Sequence, residues 1–398
     1  MLLRSALLTL CAFLLPLASP ASAQADDDLG QVGGPGHQGA AGTGFTSTHF
    51  GLYDKTDSGN GNPFLDEELS VLEAIVVYDY NVTDDFGYAL TFSYDNVSSA
   101  SIDRLSNFPN QSGASGDFYF GLDFATRHKS TEQVTWGSHI GASAEYDYQS
   151  IGLGGSVAME ADDRNSSLTL SLDAFLDQVD IIRFDGSDAE GSDDRTSIAG
   201  TASWYRLMSP TMHGEFGVTL STQSGFLETP FNSVIIEDGV SVPPFPFANG
   251  ALGFEVPENH PDSRLRTALF GRVRQLHDDD TAFELGGRIY NDDWGIQAFS
   301  IEPRWYEDLV EDEVRLRFRY RYYTQSEADF YGEHFLPGSE FGELTQDSDL
   351  ADFDSHTIGA KLSLLDAGKR SFDVSLDYVS RSDGLDHLLG LFGWTWHF

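Results

Sequence analysis

The chain ends in Leu388-Leu389-Gly390-Leu391-Phe392-Gly393-Trp394-Thr395-Trp396-His397-Phe398. Every second residue from Leu388 to Phe398 is apolar or glycine, and the alternate positions near the end are small or polar. A period of two is the side-chain period of a β-strand, so this stretch predicts a strand with one apolar face. A β-sandwich could bury that face. Alternatively, the face meets lipid in a transmembrane barrel, with Trp394, Trp396 and Phe398 at the membrane interface.

A final strand of this kind resembles the closing strand of bacterial outer-membrane barrels, which typically ends in an aromatic residue. The resemblance implies that the barrel-insertion machinery reads Phe398. It also implies that the barrel lies in a Gram-negative outer membrane, with outer-membrane lipid and lipopolysaccharide as its surroundings.

The start of the chain has the pattern of a secretory signal peptide over residues 1–23. Arg4 gives a positive start, residues 6–17 are apolar, and Ala21-Ser22-Ala23 is a small-residue cleavage site. No later stretch offers about 20 consecutive apolar residues for a spanning helix. Cys11 is the only cysteine, so the mature chain is predicted to lack a disulfide, a thiolate metal site and a cysteine nucleophile. Residues 24–43 are predicted to form a Gly-rich periplasmic lead-in.

The composition is strongly acidic, with 63 Asp and Glu against 23 Lys and Arg and a formal net charge of −40. This balance argues against nucleic acid as a partner and against simple electrostatic attraction of anions. It fits equally well with solvation of surface loops. No cofactor is predicted.

Sixteen segments alternate in hydrophobicity and are bounded by Gly, Pro, Asn, Asp or Ser. Each is long enough for a tilted strand to cross a bilayer, which predicts an all-β, antiparallel, up-and-down transmembrane barrel over residues 44–398. The predicted strands are 44–54, 68–81, 86–97, 117–128, 132–147, 150–161, 166–179, 195–208, 211–226, 262–276, 280–292, 295–307, 312–325, 354–365, 370–381 and 386–398.

The connections between these segments alternate between short and mostly longer ones. Tight turns such as Ser209-Pro210 alternate with long connections such as 227–261 and 326–353. Outer-membrane barrels have short periplasmic turns and long external loops, and an even strand number places both barrel ends of the chain on the periplasmic side. Whether 227–261 and 326–353 fill the lumen is left open.

Strand parity places ten arginines on one side of four adjacent strands. Near the membrane midplane each would cost roughly 2–4 kcal/mol if it faced lipid, so the arginines are predicted to face the lumen. They are Arg264, Arg266, Arg272, Arg274, Arg288, Arg304, Arg315, Arg317, Arg319 and Arg321. Two carboxylates, Glu284 and Glu302, lie among them.

The remaining strands place carboxylates inward by the same rule. They are Glu73, Asp79, Asp95, Asp123, Glu145, Asp173, Asp177, Glu215, Asp373 and Asp377. A basic wall opposite acidic walls is typical of a porin constriction that filters polar solutes. The alternative is that these charges pair with one another and brace the interior, and both can hold together.

Two motifs resemble those of a known family. They are residues 288–296 (RIYNDDWGI) and 319–331 (RYRYYTQSEADFY), and the shorter patterns 112–115 and 262–266 agree with them. These stretches resemble the signatures of an uncharacterised bacterial outer-membrane barrel family, domain-of-unknown-function family 3570. The resemblance implies a barrel in the outer membrane and supplies no activity.

Both long motifs are predicted to reach the external rim. Trp294 suits an interface belt beside the turn residues Asp292 and Asp293. The second motif supplies Gln325, Asp329 and Tyr331, and its loop could fold inward as a constriction. Alternatively, these residues cap strand ends and contact lipopolysaccharide.

The predicted function is a porin-like channel for passive diffusion of small polar solutes or ions. The alternative is a non-conducting barrel that anchors or assembles with a periplasmic or surface protein. An enzyme is not predicted, because no spacing brings His260, His334 and His356 together with Ser339 and Asp349. The acidic stretches 185–190 and 347–354 offer calcium-type ligands without a defined loop signature. The sequence makes no prediction of oligomeric state.

Overall fold

A computed structural model describes residues 39–57, 68–99, 117–184, 187–242, 252–366 and 368–398. The predicted signal peptide with Cys11, most of the Gly-rich lead-in and the motif at 112–115 lie outside the described residues. Among the described residues, no helix is long and apolar enough to span a membrane.

The fold is a closed, antiparallel barrel of sixteen strands. The barrel strands are β1 (Gly44–Asp57), β2 (Glu68–Thr83), β3 (Phe86–Ser99), β4 (Asp117–Lys129), β5 (Val134–Ala144), β6 (Tyr148–Glu160), β7 (Ser166–Asp180), β8 (Ser192–Ser209), β9 (Met212–Gly225), β12 (Ser263–Leu276), β13 (Thr281–Asp292), β14 (Gln297–Val310), β15 (Val314–Gln325), β16 (Phe353–Asp366), β17 (Arg370–Arg381) and β18 (Leu385–His397). Neighbours in the ring follow chain order, β9 pairs with β12, and β18 pairs with β1. The predicted transmembrane barrel and its strand number are confirmed.

The two faces of each strand differ as the period of two predicts. Trp394 and Trp396 are 53% and 51% exposed on the outer face, whereas Thr395 between them is 2% exposed on the inner face. The outer face therefore carries a band of large apolar side chains suited to lipid, and the inner face carries polar groups that are mostly covered.

The barrel closes where β18 meets β1. Phe45 lies opposite His397, and Gly44 and Phe398 exchange two backbone hydrogen bonds of 2.8 and 2.9 Å. The Phe398 ring stacks 6.0 Å from Tyr78 and 6.5 Å from Tyr80. An aromatic cluster on the outer face thus connects the end of β18, across β1, to β2.

The connections differ in length at the two ends of the barrel. One end, the turn end, has the connections 84–85, 130–133, 161–165, 210–211, 277–280, 311–313 and 367–369. The other end, the loop end, has the longer connections 58–67, 100–116, 181–191, 226–262 and 326–352, and three short ones. Residues 44 and 397, at the outer ends of β1 and β18, both lie at the turn end.

Two features of the fold were not predicted. The 226–262 connection contains a small hairpin of β10 (Ser233–Ile236) and β11 (Phe254–Pro257), and the 326–352 connection contains the 3₁₀ turns Ser339–Phe341 and Ser348–Leu350. The strands predicted at 132–147 and 150–161 instead meet at the turn 145–147, where the Glu145 amide donates to the Tyr148 carbonyl. Glu145 therefore belongs to the loop end rather than to a strand interior.

Candidate functional site

The inner face of β12 to β15 carries all ten of the predicted arginines. On the same strands Leu265, Leu269 and Phe318 stay exposed on the outer face. Glu284 and Glu302 share this inner face, and the inner faces of other strands carry Glu73, Asp173 and Asp373. The parity argument thus places these side chains correctly, and their role as pore lining stays a prediction.

Five of the ten arginines pair with a carboxylate on the same strand or on a nearby one. The pairs are Arg264 with Asp292 at 2.5 Å, Arg272 with Glu215 at 2.9 Å, Arg304 with Glu302 at 2.6 Å and with Glu284 at 3.1 Å, Arg315 with Asp308 at 2.6 Å, and Arg319 with Asp377 at 2.7 Å. Carboxylates on neighbouring strands therefore face this basic wall directly. For these residues, bracing describes the contacts.

The inner faces of the other strands are braced in the same way. The His139 ring lies between Asp123, at 3.1 Å, and Asp173, at 3.0 Å. Lys361 lies 3.3 Å from Asp373, and Arg127 pairs with Asp79. The acidic walls therefore contain cations, and the separation of charge is less sharp than strand parity predicts.

Four arginines of the basic wall differ from the others. Within the described residues, Arg266, Arg274, Arg288 and Arg321 make no ion pair with a carboxylate, and the Arg274 guanidinium lies 3.8 Å from the Tyr306 ring centroid. Arg288 has Arg321, Tyr290 and Tyr323 as its electrostatic neighbours. Its side chain is exposed in the lumen. Arg288 is therefore available to a solute, whereas Arg266 and Arg321 are only partly exposed.

The loop end is covered by a cap made from residues 226–242, 252–262 and 326–352. One apolar cluster joins Trp294 and Ile296, in the turn between β13 and β14, to Ala328, Phe330 and Leu350 of the cap. A second cluster contains Val234, Ile236 and Leu344. Isolated bridges join Ile236 to Phe335 and Asn259 to Leu344, so the two connections interlock.

A buried carboxylate lies at the centre of the cap. Glu258 accepts hydrogen bonds from the Thr229 amide at 2.6 Å and from the Thr345 hydroxyl at 3.0 Å. His260 lies 3.3 Å from the same carboxylate. Burial is the largest influence and opposes the charged form of His260, but Glu258, the Leu227 carbonyl and Asp347 together outweigh it and raise the pKa of the imidazole. This pair joins the two connections through polar contacts.

A second buried group in the cap is Asp347. It accepts hydrogen bonds from the Asp349 amide at 2.9 Å and from the Asn232 side chain at 3.3 Å. Burial, together with the nearby carboxylates Asp349 and Glu258, raises the pKa of Asp347 to about 7. The cap therefore contains a carboxyl group that titrates near neutrality.

The cap is tied to opposite walls of the barrel. Arg183, which follows β7, pairs with Glu228 at 3.0 Å. Arg381 on β17 pairs with Asp349 at 2.6 Å and donates to the Ser348 carbonyl at 3.0 Å. Seven strands separate β7 from β17 in either direction around the ring. Short contacts through Thr229, Glu258, Thr345 and Asp347 link the two anchors, so the cap crosses the mouth.

The motif at 288–296 supports the cap. Asp292 accepts from the amides of Trp294 at 3.1 Å and Ile296 at 2.9 Å, and from the Tyr290 hydroxyl at 2.7 Å. It also pairs with Arg264. One carboxylate thus fixes the turn from β13 to β14 and links it to β12. The side chain of Asp293 accepts from the Leu265 amide at 2.8 Å.

The prediction that Trp294 belongs to an interface belt is wrong. Its ring is 5% exposed and packs 5.1 Å from Phe330 and 5.2 Å from His260. Its indole Nε1 donates to the Ser263 carbonyl at 2.8 Å, and the Arg264 guanidinium lies 4.2 Å from the ring centroid. A tryptophan in a turn has no strand parity to fix its direction, and here it packs against the apolar residues of the cap.

The motif at 319–331 enters the cap from β15. Gln325 donates to the Ala351 carbonyl at 2.6 Å, the Asp329 amide donates to the Trp294 carbonyl at 2.8 Å, and Tyr331 bridges to Thr345. Both long motifs therefore meet at the base of the cap.

The chain matches the family described as "Protein of unknown function (DUF3570)" over residues 117–394. The chain belongs to the DUF3570 family. The match runs from β4 into β18, so both long motifs and the whole cap lie within the DUF3570 region. No curated protein matches the chain.

Solved structures similar to this DUF3570 barrel are outer-membrane proteins and channels. A bacterial polysaccharide outer membrane secretin is 11% identical, with 89% of this chain and 98% of that chain covered and a TM-score of 0.50. OccK1 (OpdK) from Pseudomonas aeruginosa is 9% identical, with 90% and 100% covered and a TM-score of 0.42. The CymD monoaromatic hydrocarbon channel is 9% identical, with 92% and 91% covered and a TM-score of 0.42. The likeness to the secretin shows the barrel fold alone.

The histidines that were considered for catalysis lie apart in the DUF3570 barrel. His260 is buried in the cap, His334 is exposed and bonds to Glu237 at 2.7 Å, and His356 on the outer face of β16 bonds to Tyr320 at 2.7 Å. Among the described residues, no three His, Cys, Asp or Glu side chains are grouped to hold a metal ion. Residues 185 and 186 of the predicted acidic stretch lie outside the described part of the chain.

Sequence reasoning missed the residues that hold the cap together, chiefly Glu258, Asn232 and Thr345. The β-branched run Val234-Ile235-Ile236 is a signal that could have predicted β10. Pro243-Pro244-Phe245-Pro246, which marked the same connection in the sequence, lies outside the described residues.

Proposed function

We propose that this barrel is an outer-membrane channel through which small polar solutes or ions diffuse passively. The observation that carries the proposal is the exposed Arg288 in the lumen, with Arg266 and Arg321 nearby and no carboxylate paired to any of the three among the described residues. Charges needed only to brace a wall would be paired, as Arg304 and Arg319 are. Cations left open to water are what a pore uses to select solutes.

The orientation follows from the topology of the barrel. The turn end faces the periplasm and the capped loop end faces outward, as in other barrels of this type. Residues 1–23 direct export, the insertion machinery reads the closing strand at Phe398, and lipid and lipopolysaccharide surround the outer face. The cap narrows the outer mouth. The proposal includes no catalytic step and no cofactor.

A second candidate function is a non-conducting barrel that anchors or assembles with another protein. The observation that favours it is the cap, because its interlocked connections cross the mouth and most inner-face side chains are covered. The two candidates differ in one measurable property, the passage of ions.

The test is single-channel conductance of the purified protein in a planar bilayer with a salt gradient. We expect ohmic steps and a reversal potential that shows preference for anions. In Arg288→Glu and Arg321→Glu the preference should shift toward cations, because each variant replaces a positive charge that has no ion-pair partner with a negative one. Arg315→Gln, at the turn end of the same strand as Arg321, is the control. It is preferred to Arg315→Glu, because a glutamate at this position would face Asp308, the ion-pair partner of Arg315.

The outcomes separate the two candidates. Steady conductance whose selectivity follows Arg288 and Arg321 supports the channel. Silence from a barrel that is folded, as shown by its heat-dependent mobility on a gel, removes the channel and leaves the anchor.

A further inference from the structure

We propose that Arg288 and Arg321 form a binding site for a small oxyanion, a phosphate or carboxylate group, in the lumen just below the cap, with Arg266 as a further cation toward the mouth. The inference names the solute class of the proposed channel and to that extent rests on the proposed function. It is argued from the register, the small side chains between the arginines and the charges around them.

The register places the two arginines on one patch of the wall. Arg288 on β13 lies opposite Ser300 on β14, and Ser300 lies opposite Tyr323 on β15. Arg321 is two residues from Tyr323 on the same face. Strand spacing and rise therefore put the backbones of Arg288 and Arg321 about 12 Å apart. Two extended arginine side chains with an oxyanion between them can bridge that distance.

The strand between the arginines, β14, carries Ser300 and Glu302 on its inner face at this level. Ser300 lies opposite Arg288 and is 8% exposed, and Ala298 lies one step nearer the loop end, opposite Tyr290. Both of these side chains are shorter than the arginines and tyrosines around them, so a small ligand can lie above them.

The charges around the patch compensate it only in part. Arg288 has Arg321 as a like-charged neighbour, and Arg321 has Arg304 and Arg319. Glu302 on the neighbouring strand is the main favourable charge beside Arg321, but it accepts a hydrogen bond from Arg304 at 2.6 Å, and Asp377 accepts one from Arg319 at 2.7 Å. Like charges placed together repel, so an anion that enters the patch relieves a repulsion as well as gaining bonds.

Arg266 extends the positive surface toward the mouth. It lies on the inner face of β12 near Arg264 and Arg195, and both of those are paired, with Asp292 and Asp177 respectively. An anion that passes the cap therefore meets Arg266 before Arg288. The arrangement draws an anion inward in two steps.

The two tyrosines fix the walls of the patch. The Tyr290 hydroxyl donates to Asp292 at 2.7 Å and the Tyr323 hydroxyl donates to Gln325 at 2.6 Å. Both bonds point toward the loop end and leave the guanidinium groups as the free donors. A guanidinium presents its N–H groups as a planar fork that matches phosphate and carboxylate oxygens, which sets the ligand class.

Retention of arginines without an ion-pair partner in a protein with a net charge of −40 needs a reason beyond folding. If the arginines bind a solute, removing one relieves repulsion and leaves the folded barrel as stable or more stable, while binding is lost. If they only brace the wall, removing one lowers stability. Stability and binding therefore change in different directions under the two explanations.

The experiment is isothermal titration of inorganic phosphate into the purified full-length protein in detergent at low ionic strength. We expect saturable binding to the wild type that weakens as salt rises. In Arg288→Gln and Arg321→Gln the dissociation constant should rise about tenfold to a hundredfold, because each variant removes a charge-assisted hydrogen bond to the anion. Arg315→Gln, the matched control on β15, should bind as the wild type does.

Thermal unfolding of the same samples, followed by gel mobility, gives the second readout. We expect Arg288→Gln to unfold at the wild-type temperature or above. The proposal is overturned if the folded wild type shows no saturable heat with phosphate, or if the double variant binds phosphate as tightly as the wild type. If the barrel binds phosphate but does not conduct, the oxyanion site stands and the channel function is rejected. If it conducts but does not bind phosphate, the channel function stands and the oxyanion site is rejected.

Discussion

Arg319 on β15 and Asp377 on β17 form an ion pair, Nε to Oδ1 2.7 Å, across the strand that separates them. Gly359 on β16 lies opposite both residues in the register. A Cβ added to Gly359 would meet the Asp377 carboxylate and would come within 3.1 Å of Arg319 Cγ. The glycine therefore lets the pair pass over β16, and the wall is braced across three strands at once.

Gly359→Ala is expected to destabilise the barrel by about 1–3 kcal/mol, because the methyl group overpacks the site and displaces the ion pair. The urea midpoint of unfolding in detergent measures the change. Gly286→Ala is the matched control, since its nearest neighbour would be the Glu302 carbonyl oxygen at an ordinary 3.7 Å. Equal midpoints for the two variants would refute this role for Gly359.

The aromatic cluster at the closure gives a second prediction. Phe398 stacks on Tyr78 and Tyr80 where β18 meets β1 and β2. Phe398→Ala should lower the yield of refolded barrel from urea into detergent, because it removes ring contacts worth about 0.5–1.5 kcal/mol beyond the buried area. The measurement is the fraction of heat-modifiable protein on a gel.

Tyr80→Ala is the control for this variant, because it removes one of the same ring contacts and keeps Phe398. If packing alone matters, both variants should assemble poorly in vitro and in cells. If the insertion machinery also reads Phe398, then Phe398→Ala should assemble worse than Tyr80→Ala in cells only. Normal refolding of both variants would contradict the packing role.

The alternation of side chains made the barrel predictable. Phe318 and Arg319 are neighbours in sequence that face lipid and lumen respectively, and burying an arginine in lipid costs enough to fix that choice. The period of two therefore predicted the strands and the faces of the ten arginines. It could not predict that Arg319 pairs with Asp377, because that contact passes over Gly359 on the intervening strand β16 and depends on the register of all three strands.

The cap was not predictable by the same reasoning. Glu258 accepts hydrogen bonds from Thr229 and Thr345. Thr345 lies 87 residues after Glu258 in the chain, and no periodic pattern links such positions. Trp294 shows the same limit. It lies in a turn, and the sequence pattern is the same whether its ring faces lipid or a folded loop. Long connections were recognised, but their mutual packing follows from tertiary contacts alone.

The anchor of the cap at Arg381 yields a third prediction. Arg381→Gln removes the ion-pair partner of the half-buried Asp349 and leaves Lys55 as its neighbouring cation. Loss of one partner of a fully buried ion pair typically costs about 3–5 kcal/mol, so we expect a smaller cost here. The segment 347–351 should then leave the mouth, and single-channel conductance should rise. Hydrogen exchange at the backbone amides of 347–351 should quicken in the same variant. Quicker exchange with unchanged conductance would show that the cap does not restrict the pore, and Arg315→Gln should alter neither quantity.

The buried Asp347 makes the cap sensitive to pH. Burial and the carboxylates of Asp349 and Glu258 raise the pKa of Asp347 from 3.8 to about 7 in the docked cap. Between those values the docked cap holds a proton that the undocked cap releases, so its stability falls as pH rises through this window. Asn232 Oδ1 is buried without a hydrogen-bond partner, and after rotation of its amide a protonated Asp347 can donate to it.

We therefore expect hydrogen exchange at residues 344–350 to quicken as pH rises from about 4 to about 6, after correction for the intrinsic exchange rate. This range lies below the usual pKa of histidine, which keeps His260 protonated throughout. Asp347→Asn mimics the protonated carboxyl and should remove the dependence by holding the cap docked at both pH values. Asp352→Asn, an exposed carboxylate in the same connection, should keep the dependence. A pH dependence that survives in Asp347→Asn would show that another group controls the docking of the cap.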